Sequence, residues 1–90
     1  MKLQVYIVES GSGKTFNAYD PVGSLDEATK LVQQMEREFQ EWLEVGDMKV
    51  KVPEWMRHYE GSDIYAKDLE TTDVYAETGH GEEEIGWERI

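Results

Sequence analysis

The stretch SLDEATKLVQQMEREFQEWLEVG, residues Ser24 to Gly46, decides the fold. Leu25, Ala28, Leu31, Val32, Met35, Phe39, Trp42 and Leu43 recur at three- and four-residue steps, which puts them on one helical face. Asp26, Glu27, Lys30, Gln33, Gln34, Arg37, Glu38, Gln40, Glu41 and Glu44 make the opposite face polar. Ser24 with Glu27 three residues later reads as a capping box, and Gly46 supplies a left-handed stop. The rest of the chain must therefore provide a layer to cover the apolar face.

Outward from the helix, both flanks read as strands. Leu3, Val5 and Ile7 alternate with polar partners, and Ser10-Gly11-Ser12-Gly13 turns the chain. Thr15 to Tyr19 then returns as the second strand of a hairpin, closed by Asp20-Pro21-Val22-Gly23. Beyond the helix, Met48 to Val52 alternates apolar residues with Lys49 and Lys51, predicting a strand stopped by Pro53. Pro53 to Gly61 reads as an aromatic-rich loop with a single helical turn. Asp63-Ile64-Tyr65-Ala66-Lys67 and Asp73-Val74-Tyr75-Ala76-Glu77 echo one another and predict a hairpin looped at Asp68 to Thr72. That register pairs Lys67 with Asp73, Tyr65 with Tyr75 and Asp63 with Glu77, and turns Ile64, Ala66, Val74 and Ala76 towards the helix. The expected architecture is a single α+β domain over residues 1–90, an antiparallel sheet in ββαβββ order with the helix across one face. Residues 78–90 read either as a flexible acidic tail or as a docking segment, since Ile85, Trp87 and Ile90 follow the Glu82-Glu83-Glu84 run.

Composition narrows the function. Ninety residues bury only about two-thirds of the unfolded surface, which leaves little core to spend on a deep cleft. The chain has no cysteine, so disulfides, thiolate zinc sites and thiol catalysis are excluded together. The first ten residues alternate instead of forming an apolar run, so a soluble, cytoplasmic protein is expected, in the host cytoplasm if phage-encoded. The formal charge is −11, which opposes binding to bare nucleic acid or to an anionic membrane and favours a basic partner. Residues 54–90 carry eleven acids and three bases, against nine and six in residues 1–53. The field is concentrated in the second half.

Catalytic motifs are weak. Gly11-Ser12-Gly13-Lys14-Thr15 imitates a phosphate-binding loop, but Val8 stands where the first glycine belongs and the following residues read as a strand. His58 and His80 each precede a glutamate by two residues, Glu60 and Glu82, without the cysteine ligands that the zinc deaminase pattern requires. A divalent metal could in principle be held by His80, Glu82, Asp63 or Asp73, and a small acid–base or metal-dependent enzyme would place its site around His58, Glu60, Asp63 and His80. No cofactor is expected.

The remaining signal is a set of carboxylates interleaved with aromatics: Asp63, Tyr65, Asp68, Glu70, Asp73, Tyr75, Glu77, Glu82, Glu83, Glu84 and Trp87, with Trp55 nearby. Same-face residues of a strand lie ~6.5–7 Å apart, close to the spacing of alternate phosphates on a nucleic acid strand. Taken singly, each of these residues reads as solvated surface; together they read as an interface. The expected function is a non-enzymatic acidic inhibitor that covers a basic nucleic-acid-binding surface of a nuclease or effector complex, as a nucleic-acid mimic. Small size, concentrated negative charge and the lack of a cofactor motif are similar to phage-encoded anti-defence proteins, including anti-CRISPR and anti-restriction inhibitors. An immunity protein or antitoxin facing a basic toxin would use the same electrostatics. A self-assembling structural protein is the blandest alternative.

Overall fold

The computed structural model describes residues 1–47, 49–79 and 85–90. The helix forms as its caps dictate. Helix α1 spans Leu25–Val45; the Ser24 hydroxyl accepts the Glu27 N–H at 3.1 Å, and the Glu27 carboxylate accepts the Gly23 N–H at 2.6 Å. Gly46 ends it at φ 70°, a conformation that costs glycine nothing. Ala28, Val32, Met35, Phe39 and Trp42 are buried, whereas Leu43 at the margin of the stripe is 47% exposed.

The partner layer is a five-stranded antiparallel sheet made of β1 (Leu3–Val8), β2 (Thr15–Asn17), β3 (Asp63–Asp68), β4 (Val74–Thr78) and β5 (Gly86–Arg89), in the spatial order β2-β1-β3-β4-β5. Leu3, Val5 and Ile7 are fully buried against the helix, alternating with half-buried Gln4, Tyr6 and Val8 on the open face. Tyr19 adopts φ 60° and ends the β2 side of the hairpin; Leu3 and Val22 then exchange backbone bonds of 2.7 and 2.8 Å before the helix starts. The one-turn helix α2 (Glu54–Arg57) seats Trp55 and Met56 in the core at 2% and 5% exposure. Trp55 is thus a core residue, not an interface anchor. Among the described residues no helix is long and apolar enough to cross a membrane.

The domain is α+β as expected, with two corrections to the predicted topology. First, residues 49–52 are not a strand; Met48, the first residue of that expected strand, lies outside the described residues. The Asp47 carboxylate accepts the Lys49 N–H at 2.9 Å and its carbonyl accepts the Val50 N–H at 3.2 Å, so the backbone finds its partners in a local turn. The fifth strand is instead β5, at the sheet edge beside β4. Second, the β3–β4 register is shifted by one residue, with Tyr65 opposite Ala76, Ala66 opposite Tyr75 and Lys67 opposite Val74. Asp68 causes the shift. It stays in the strand, donates its N–H to Asp73 O at 2.8 Å, and its carboxylate accepts the N–H groups of Glu70 and Thr71, which tightens the loop. Because a one-residue slip exchanges the faces of a strand, Tyr75 and Glu77 turn towards the helix, and Val74 and Ala76 towards the open side.

Candidate functional site

The register separates the residues expected to act together. Asp63 is exposed on the open face opposite Val8, whereas Glu77 is only 7% exposed, beneath the helix and opposite Trp87. The predicted cross-strand pair of these two carboxylates does not exist. Asp68 is 4% exposed, and the backbone N–H of Glu70 holds its carboxyl below the usual range although burial opposes this. Glu70 lies 3.2 Å from the amino group of Met1, and Asp73 lies 3.3 Å from the Arg89 guanidinium. Tyr65 stacks on Tyr6 across the open face with ring centroids 5.6 Å apart. Tyr75 is half-buried on the helix side, and Trp87 donates its indole N–H to Thr29 Oγ1 of α1 at 3.0 Å. Ile85 and Trp87 pack against the core, and Gly86–Arg89 form β5. Glu82, Glu83 and Glu84 lie outside the described residues, as does His80.

What the fold does assemble is a groove of about 400 Å³ between the second half of α1 and the segment that enters β3. Phe39, Leu43 and Ile64 give it an apolar wall; Glu36, Glu60 and Glu77 supply three carboxylates, and no lysine, arginine or histidine lines it among the described residues. The Tyr59 ring packs on Phe39 at 4.8 Å, and its hydroxyl donates to Glu36 at 2.6 Å. Burial first, then the Glu36 hydrogen bond and the charges of Glu36 and Glu77, push the Tyr59 phenol far above its ordinary value. The groove is therefore both amphipathic and electronegative. A second tether of the same kind, Tyr19 O–H to Glu38, holds the helix from its other flank, and Gln34 donates to the same Glu38 oxygen at 3.3 Å.

Next to the groove, His58 lies flat on Phe16, with ring centroids 4.1 Å apart and planes 4° apart. Its Nδ1 pairs with the Glu9 carboxylate and its Nε2 with Glu54 at 3.1 Å. Ser12 donates to the other Glu9 oxygen at 2.6 Å. Hydrogen bonds to Glu9 and then Glu54 raise the imidazole above its ordinary value, while the Ser12 and then the His58 bond lower Glu9. Both ring nitrogens are thus occupied by residues other than Glu60 or Asp63, the partners expected of a metal or acid–base site. Among the described residues no group of three or more His, Asp or Glu side chains is placed to hold a metal ion.

Sequence reasoning missed Glu36, Tyr59 and the groove they share. Glu36 lies at the border of the polar helix face, beside Phe39 and Leu43, and only the chain return at Tyr59 to Ser62 makes that border concave. The class defined by this geometry is a two-layer α+β domain with an acidic, amphipathic groove at one end. Compared with protein-family models, with curated proteins and with solved structures, the chain matches none.

Proposed function

We propose that this domain is a non-enzymatic acidic inhibitor that captures a basic, nucleic-acid-binding surface of another protein, of the kind a phage directs against a host defence nuclease or effector complex. The observation that carries the reading is the groove: three carboxylates with no lysine, arginine or histidine lining it among the described residues, beside an apolar wall, in a chain of net charge −11. An arginine or lysine of a nucleic-acid-binding site fits that chemistry. Its aliphatic stem would lie along Phe39, Leu43 and Ile64, and its charged head among the carboxylates. The rest of the negative field would steer the basic partner into contact and oppose nucleic acid competing for it.

In this form the competition is electrostatic, and a regular ladder of phosphate-like charges along the β3–β4 hairpin is not required. The test is capture from a bacterial lysate on the immobilised protein, eluted in parallel with salt and with competitor DNA or RNA, using wild type and Glu60→Lys. Glu60 is exposed at the rim, so its reversal changes the field without touching the core. Recovery of a nucleic-acid-binding protein that competitor releases, and that Glu60→Lys retains several-fold less well, is the expected result. A partner indifferent to both competitor and Glu60→Lys would overturn the reading in favour of another surface.

A further inference from the structure

His58 ends the single turn of α2 and immediately precedes Tyr59, Glu60, Gly61 and Ser62, which form one wall of the groove. This wall is a small bonded unit: the Ser62 N–H and hydroxyl both donate to the Tyr59 carbonyl, at 3.1 and 2.6 Å, and the His58 N–H donates to the Trp55 carbonyl at 3.1 Å. The imidazole ties this unit to the β1–β2 turn. Both of its ring nitrogens face carboxylates, Glu9 from the end of β1 and Glu54 from α2. A neutral imidazole has one N–H and one lone pair, so it can satisfy one carboxylate only by setting its lone pair against the other. The imidazolium donates to both. The double pairing is therefore that of the charged ring, and β2 contributes only the neutral face of Phe16.

We propose that His58 is a proton-dependent latch on the groove: while charged it pins the Glu60 to Ser62 part of the wall, Tyr59 itself staying tied to α1 through Phe39 and Glu36, and on losing its proton it loosens that part and weakens capture of a basic partner. The latch rests on the reading above only for what the groove binds; its movement needs no partner. The other charged groups near it are Lys14, which acts on Glu9 from the turn, and Arg57, which bonds the Val50 carbonyl and lies over the Trp42 ring. Since folding raises the His58 value, its contribution is complete below the unfolded imidazole value and fades as pH rises through the higher folded one. Since folding lowers Glu9, the same contact is lost again in acid, as pH falls through the depressed Glu9 value. The latch is closed between these limits.

The test is an NMR titration of the free protein that follows the His58 imidazole together with the Leu43 methyl groups on the α1 wall and the Ile64 methyl groups where the chain enters β3. The methyl shifts should share the His58 midpoint. In Glu9→Gln that midpoint should fall and the methyls should already hold their high-pH positions near neutrality; should that variant fail to fold, Glu54→Gln, at an exposed site, should lower the midpoint in the same direction. Methyls that ignore the His58 titration, or a midpoint unmoved by losing either carboxylate, would overturn the latch. A second arm measures binding of an arginine-rich peptide across the same pH range, with a several-fold loss expected through the His58 midpoint. Methyls that follow His58 without peptide binding at any pH would uphold the latch and overturn the assignment of the groove to basic partners.

Discussion

Two tryptophans of this protein should respond to the same substitution in the order opposite to their burial. Trp42 is 8% exposed, and its buried Nε1 has no hydrogen-bond acceptor among the described residues. Trp87 is only half-buried, but its Nε1 donates to Thr29 at 3.0 Å. Replacing either by phenylalanine removes two ring carbons and the nitrogen, the carbons worth ~1.6 kcal/mol at ~0.8 kcal/mol each if fully buried. At Trp42 that loss is offset by no longer burying an unsatisfied donor, a penalty of ~1–3 kcal/mol, so Trp42→Phe should fall between a gain of about 1.4 and a cost of about 0.6 kcal/mol. At Trp87 about half the apolar loss applies, but a hydrogen bond worth ~0.5–1.5 kcal/mol goes with it, giving about 1.3–2.3 kcal/mol. Urea unfolding followed by circular dichroism reads both, and a gap of 1 kcal/mol corresponds to about 4–8 °C in Tm for a domain of this size. Trp42→Ala, which empties the whole site, should still cost ~3–5 kcal/mol. If Trp42→Phe proved more costly than Trp87→Phe by 1 kcal/mol or more, the indole would have an acceptor and the seating of α1 around it would be wrong.

Two further predictions follow from burial and electrostatics. In an alkaline spectrophotometric titration Tyr6, Tyr19 and Tyr59 should ionise above the ordinary phenol range, with burial the first cause in each; Tyr59→Phe should remove one of the late transitions, and a late phase of unchanged size in that variant would count against the Glu36 contact. Asp63→Lys, on the open face, should shift stability by no more than ~0.5 kcal/mol, whereas Glu77→Ala, beneath the helix, should cost ~1–3 kcal/mol because a buried acceptor is withdrawn from its surroundings; equal effects on the urea midpoint would mean that the two carboxylates share a face after all.

The long helix was legible because every signal for it is local: the spacing of Ala28, Val32, Met35, Phe39 and Trp42, the hydroxyl of Ser24 and the left-handed Gly46 all lie within one stretch. The first hairpin was legible for the same reason. Where the reading failed, a short-range side chain decided between two patterns of equal periodicity. Lys49 and Lys51 alternate with apolar neighbours as a strand would, yet the Asp47 carboxylate captures the chain in a turn before it can extend. Asp68 acts likewise at the β3–β4 loop, and moving the loop by one residue exchanges the faces of β4. Alternation fixes which residues share a face; it does not say which of the two faces meets the core.

That ambiguity explains why the charge was readable and its placement was not. Net charge is a sum over side chains and survives any folding, but a binding surface needs particular carboxylates left uncompensated. Glu70 and Asp73 face the Met1 amino group and Arg89, and Asp68 builds a turn, whereas Glu77, though only 7% exposed, lines the groove; alternation alone fixes none of these placements. The acidic groove arises instead where Glu36, at the edge of a helical stripe, meets Tyr59 and Glu60 after a chain reversal of more than twenty residues. Repulsion among its carboxylates is relieved in part by the Tyr59 hydroxyl, which gives Glu36 a donor without adding a cation. A neutral donor satisfies the hydrogen bond and leaves the field intact, so the groove stays electronegative, which a lysine at position 59 would undo.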